Sequence, residues 1–138
     1  MRLVIDTNII VSGFLWNGAP ARLIAFVVGQ GISVCTSDAL LDELEETLTK
    51  PKLAKPLALA HQTPNALRGM YQQMCSLVTP APLQAIAPDP DDDWVIATAI
   101  AAKADLIVTG DKPFLGVGVV GEIRFVTVAQ ALALLADA

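Results

Sequence analysis

Met1-Arg2-Leu3-Val4-Ile5-Asp6-Thr7-Asn8 opens the chain as an apolar, β-branched run ending on a carboxylate, a hydroxyl and an amide. A continuous apolar run, rather than a two-residue alternation, is the pattern of a strand buried on both faces. The same pattern returns at Asp105-Leu106-Ile107-Val108-Thr109-Gly110-Asp111, where an apolar run again delivers Thr and Asp at its end. In open parallel sheets, ligands bind beyond the carboxyl ends of the strands, where the strand order reverses. Asp6 and Asp111 are therefore expected to share one acidic site.

Outward from these two strands, residues 8–18 read as a loop or short turn with Gly13 and Gly18. Residues 20–29 read as a helix, with Pro20 in the first turn and Gly29 and Gly31 near its stop. A second strand is expected at 32–36. A helix over 38–49 follows, capped by Ser37 or Asp38, with Leu40, Leu41, Leu44 and Leu48 as its apolar stripe. Further helices are expected at about 51–60 and at 64–77, the latter opened by Thr63-Pro64. The stretch 79–90 carries Pro80, Pro82, Pro88 and Pro90 and reads as a connector. Then come a helix at 91–103, strands at 105–109 and 122–126, and a closing helix at 127–136. The Gly-rich stretch between Gly116 and Gly121 reads as a loop without the strand-to-helix setting of a phosphate-binding motif. Strands alternating with helices in this order predict an α/β fold with a mainly parallel central sheet covered on both faces. At 138 residues one domain over 1–138 is expected.

Composition narrows the function classes. With 54% hydrophobic and 17% charged residues, intrinsic disorder is excluded as an expectation. No apolar run reaches the roughly 18 residues of a membrane span, and no signal-peptide pattern is read, so a cytoplasmic protein is expected. The net charge of −5 argues against general nucleic-acid affinity but permits a local basic patch, with Lys50, Lys52 and Lys55 as the best candidates. Cys35 and Cys75 lie in apolar surroundings and read as buried thiols, and no Cys/His cluster offers a zinc site. His61 is the only histidine and lies far in sequence from every acid, so a Ser-His-Asp or Cys-His arrangement has no base.

The acids carry the chemistry. Asp89-Pro90-Asp91-Asp92-Asp93 places four carboxylates at the start of a helix, where backbone N–H groups and the helix dipole favour negative charge. Ordinary capping accounts for one or two of them; the others repel. Asp92 stands three and four residues before Val95 and Ile96, at the head of the stripe that packs on the sheet, and can face the strand ends. Asp93 is the alternative. In the 38–49 helix, Glu43 and Glu45 flank the leucine stripe on opposite sides, and periodicity alone leaves the choice between them open. Carboxylates gathered in one cleft neutralise unless a cation compensates them. An all-oxygen donor set suits Mg²⁺ or Mn²⁺ rather than zinc.

Together these residues resemble the PIN-domain ribonucleases, and among them the VapC-like toxins of prokaryotic type II toxin–antitoxin systems. The resemblance rests on Asp6-Thr7-Asn8, Glu43 in SDALLDELEETLTKPKL, Asp92 in DPDDDWVIATAIAAKADLIVTGD and Asp111 in VTGDK, and runs from residue 1 to about 128. It implies a three-layer α/β/α sandwich and a metal-dependent endoribonuclease acting through a metal-activated water. Asp6, Glu43, Asp92 and Asp111 match the family's acidic, metal-binding positions, which selects Glu43 over Glu45 and Asp92 over Asp93. Asn8, Ser12 and Thr109 match supporting polar positions, Asn8 ranking above Thr7, and Asp93 is a further supporting candidate. The partners implied are RNA, a cognate antitoxin and a second copy of the chain in a homodimer. The chain departs from the family pattern at Asp93-Trp94, where a polar residue is usual, and at Lys112-Pro113-Phe114, where a second acid often precedes the leucine. Two other classes share parts of this pattern. A PIN fold kept as a protein-binding module with weak or no nuclease activity would be favoured by loss of an acid, and none is lost. A haloacid-dehalogenase-type phosphatase needs a second Asp two residues after the first; the chain has Asn8 there.

Overall fold

The computed structural model describes residues 1–137. Among these, six strands form one sheet: β1 (Arg2–Ile5), β2 (Ser33–Thr36), β3 (Cys75–Leu77), β4 (Leu106–Val108), β5 (Val119–Val120) and β6 (Ile123–Val126). Their spatial order is β3-β2-β1-β4-β6-β5, and every pairing is parallel except β5 with β6. β1 lies beside β4 in the register Leu3↔Leu106, Val4↔Ile107, Ile5↔Val108. The chain builds outward from β1 through β2 to β3, then returns to the other side of β1 for β4. The order thus reverses between β1 and β4, where Asp6 and Thr109 leave the sheet.

The helices are α1 (Thr7–Leu15), α2 (Ala19–Gly29), α3 (Asp38–Leu48), α4 (Ala54–Leu59), α5 (Pro64–Met74), α6 (Asp93–Ala102), α7 (Lys112–Leu115) and α8 (Val128–Ala136). Successive strand residues face opposite sides, which divides the core in two. Leu3, Ile5, Leu106, Val108 and Val126 pack with residues of α1, α2, α3, α5 and α8. Val4, Ile107 and Phe125 pack with Val95, Ile96 and Ala99 of α6 and Phe114 of α7. The result is an α/β/α sandwich, as expected. No single helix among the described residues is long and apolar enough to cross a membrane.

Four expectations need correction. Residues 8–18 are not a loop: α1 begins directly after β1. The Asp6 carbonyl accepts from Ile9 N at 3.0 Å and from Ile10 N at 3.3 Å, so the strand turns into the helix without a linker. The β-branched run disfavours helix by at most about 0.7 kcal/mol per residue, whereas burying an Ile or Val side chain returns about 1.5–3 kcal/mol. Ile9, Ile10 and Val11 are all buried, and burial wins. Gly13 is a packing residue rather than a turn, since a Cβ there would collide with Ile24 Cδ1 of α2.

The expected helix over 64–77 ends at Met74, and its last three residues form β3, paired with β2 in the register Val34↔Cys75 to Thr36↔Leu77. That pairing is non-local, so no periodicity within 64–77 announces it. The two expected helices at 51–60 and 91–103 each start with a 3₁₀ turn, at Pro51–Leu53 and Pro90–Asp92. Proline at the first position of each turn explains the tight entry. The loop expected at 116–121 contains β5, which closes an antiparallel hairpin on β6, and the short α7 precedes it, capped by Asp111.

Candidate metal centre

Asp6 is 6% exposed, and both its carboxylate oxygens are held. Its Oδ1 accepts from Thr7 N at 2.8 Å and its Oδ2 from the Thr109 hydroxyl at 2.7 Å. The Thr109 oxygen in turn accepts from Asp111 N at 3.1 Å, so one buried hydroxyl connects the ends of β1 and β4. Asp111 is exposed and caps α7, its Oδ1 accepting from Phe114 N at 3.3 Å.

α3 brings Glu43 to the same end of the sheet. Ser37 starts that helix by accepting from Leu40 N at 3.4 Å, and the buried leucine stripe sets its rotation. Glu43 then faces Asp6 and the Thr7 hydroxyl, while Glu45 turns to Arg68 at 3.0 Å. Asp92, at the end of the 3₁₀ turn before α6, faces Asp6, Glu43 and Asp111. Asp93 is buried and its Oδ1 accepts from Ile86 N at 3.1 Å and Ala87 N at 2.7 Å, clasping the proline-rich connector to α6.

Electrostatics register the crowding. Burial raises Asp6 above the usual carboxylate range, the Thr109 and Thr7 hydrogen bonds oppose that rise, and Asp111 adds to it. Burial and then the charge of Asp6 raise Glu43, with Thr7 partly offsetting them and Asp91 and Asp89 adding to the rise. Asp92 is pushed up to about 7, first by burial and then by Asp6, Asp89, Glu43 and Asp111. Carboxylates whose burial and mutual repulsion favour the protonated form make a place for a cation.

Among the described residues, no three Asp, Glu, His or Cys side chains close on a single point. That spacing is compatible with Mg²⁺, which is usually bound through one or two carboxylates and keeps several waters. The oxygen-only donors of Asp6, Glu43, Asp92 and Asp111 fit such an ion. Two larger cavities, of about 400 and 450 Å³, lie at the opposite, N-terminal ends of the strands, around Ile32-Ser33 and Ala104-Asp105. Size favours them, but strand-end chemistry favours the acids.

The supporting residues divide. Thr109 is buried in the network just described. Asn8 is exposed and Ser12 half-buried, and neither side chain makes a hydrogen bond among the described residues. Thr7, ranked below Asn8 from sequence, is buried against Glu43. Asp89 and Asp91, read as possible caps, are felt by Glu43, and Asp89 also by Asp92. The available signal was the density of acids in Asp89–Asp93; nothing local distinguished Thr7, whose burial follows from α1 starting at once.

Comparison with known proteins adds the following. The family model described as PIN domain matches residues 2–113. No curated protein matches. Among solved structures, the chain is similar to a chain of VapBC2 from Rickettsia felis, bound there to a DNA fragment from their promoter. The TM-score is 0.61 at 13% identity, covering 92% of this chain and 98% of that one.

Proposed function

This chain belongs to the PIN-domain family, and on that footing we propose that it is a Mg²⁺- or Mn²⁺-dependent endoribonuclease, the toxin of a toxin–antitoxin pair. What supports the proposal is that Asp6, Glu43 and Asp92 lie where the strand order reverses, near enough that burial and neighbouring charge raise the proton affinity of each, with Asp111 adding to the rise at Asp6 and Asp92. A divalent ion bound there supplies an activated water and neutralises charge on the phosphodiester.

The chain's own residues do the rest. Thr109 and the Thr7 amide orient both oxygens of Asp6, so this ligand is aimed before an ion arrives. Asp92, whose carboxylate is raised by burial and then by Asp6, Asp89, Glu43 and Asp111, is the acid that a bound cation would relieve most. Glu43 completes the acidic wall. Exposed Arg22, Lys50, Lys52 and Lys112 are available to RNA phosphates. A homodimer would gather these from two copies and offset the net charge of −5. The likeness to a VapBC2 chain supports a protein antitoxin as partner. Such a nuclease acts on RNA in the cytoplasm.

The test is cleavage of single-stranded RNA with Mg²⁺ or Mn²⁺, with and without EDTA, by wild type and Asp6→Asn. Cleavage only by the wild type, and only with the metal, is expected. Activity that survives EDTA or the Asp6→Asn change would overturn the mechanism.

A further inference from the structure

Trp94 is 39% exposed, although the five residues that follow it in α6 are all buried. Isolated apolar side chains on a surface are ordinary; the position of this one is not. Trp94 lines a cavity of about 200 Å³ together with Ala39, Asp42, Glu43, Glu46 and Asp91. Glu43 belongs both to this cavity and to the acidic cleft, so the two adjoin.

The walls are fixed to each other. The Thr98 hydroxyl donates to the Trp94 carbonyl at 2.8 Å and shares a buried hydrogen bond of 2.8 Å with the Ser37 hydroxyl. Ser37 caps α3, the helix that carries the opposite wall. The backbone that carries Trp94 is therefore tied to the start of α3 by a buried polar link, and Trp94 stands on a helix rather than on a loop.

The chemistry of the lining selects an occupant. An exposed indole beside a phosphodiester-cleaving site offers a stacking surface, and unpaired RNA bases are recognised largely by stacking on aromatic side chains. The surrounding carboxylates repel a phosphate, so the backbone is excluded. The cavity is smaller than the roughly 300–1,000 Å³ that takes drug-sized ligands, which suits one planar base. Asp42 is turned to Arg68 at 2.7 Å, whereas Glu46 and Asp91 make no side-chain ion pair among the described residues. Their carboxylates offer acceptors of the kind that suits amino groups on a base edge.

The geometry points to Trp94 as a specificity-determining residue: it stacks an unpaired RNA base flanking the phosphate held at the acids. Glu46 and Asp91 favour a base that bears an exocyclic amino group over uracil. The inference rests on the nuclease function proposed above.

Two readouts separate the inference from that function. The chain has two tryptophans, so in Trp16→Phe protein Trp94 alone reports by fluorescence. Titration with a short single-stranded RNA made uncleavable by phosphorothioate linkages, in Mg²⁺, is expected to quench it saturably. In cleavage assays, Trp94→Ala is expected to raise KM about ten-fold and Trp94→Phe about two-fold or less, with kcat nearly unchanged. An all-uracil RNA is expected to bind wild type more weakly than a mixed sequence, and Trp94→Ala to narrow that gap. Thermal melts establish that the variants are folded. A folded Trp94→Ala protein with wild-type KM overturns the inference. So does fluorescence that follows protein concentration rather than RNA, which would mean that a second copy covers Trp94. If wild type cleaves nothing while the quenching saturates, the nuclease function fails and the base site stands.

Discussion

Thr109 shows how one side chain can serve two strands. It is fully buried, donates to the Asp6 carboxylate and accepts from the Asp111 amide, so its hydroxyl joins the side chain of one acid to the backbone of the other. Thr109→Val keeps the shape and removes that oxygen. Leaving a buried polar partner unpaired costs about 1–3 kcal/mol, and loss of a group that orients a metal ligand typically costs roughly 10- to 100-fold in affinity or activity. Thr109→Val is thus expected to melt several degrees lower and to lose at least about ten-fold in kcat/KM, with Thr109→Ser close to wild type. RNA cleavage by a purified Thr109→Val protein at the wild-type rate would remove Thr109 from the site. Asp92 allows a pH prediction. Its folded-state pKa is raised from 3.8 to about 7, so the folded protein keeps a proton that the unfolded chain gives up. The resulting stability is fully present below about pH 4 and is lost as pH rises through about 7. Without divalent ions, the melting temperature is expected to fall between pH 5 and 8, and less steeply in Asp92→Asn. A slope unchanged by that substitution would show that Asp92 is not the group concerned.

At the scale of elements, the acids are placed by how helices begin. α1 starts on Asp6, α7 starts on Asp111, and α6 follows a 3₁₀ turn that ends on Asp92. Free N–H groups at helix starts stabilise carboxylates there even before any ion is bound. Asp93 fixes the third start from behind, because its Oδ1 takes the amides of Ile86 and Ala87. In Asp93→Ala those two donors lose their acceptor, at a cost of about 1–3 kcal/mol. Amide exchange at Ile86 and Ala87 is expected to speed up, with weaker metal binding because Asp92 loses its anchor. Asp93→Asn, which keeps an oxygen acceptor, is expected to be milder. Exchange rates identical in Asp93→Ala and wild type would show that the clasp is not what holds the connector.

For the whole molecule, the quantity that matters is repulsion among the acids. The sheet brings together acids that oppose one another, so folding without a cation works against the site. Ligands that bind only the folded state stabilise it by mass action. Mg²⁺ or Mn²⁺ at millimolar concentration is expected to raise the melting temperature of wild type at pH 8, and at pH 6, where Asp92 still holds its proton, to release protons on binding. Asp6→Asn is expected to gain clearly less. An equal gain in both proteins would place the ion elsewhere on this acidic chain.

Much of the architecture was legible in the sequence because burial leaves a local mark. Leu3-Val4-Ile5 and Leu106-Ile107-Val108 announced parallel strands, and the polar residues that end them announced the functional edge. Only tertiary structure decided the rest. α1 looked like a loop because β-branched residues and Gly13 disfavour helix, until packing against α2 and the sheet outweighed propensity. β3 was hidden at the end of a helical pattern because its partner, β2, lies some forty residues away. Glu43 and Glu45 were equivalent on a helical wheel; the separate partners Asp6 and Arg68 distinguish them. The residue types and their order were set by local chemistry, whereas which carboxylates face one another depends on contacts between segments distant in the chain.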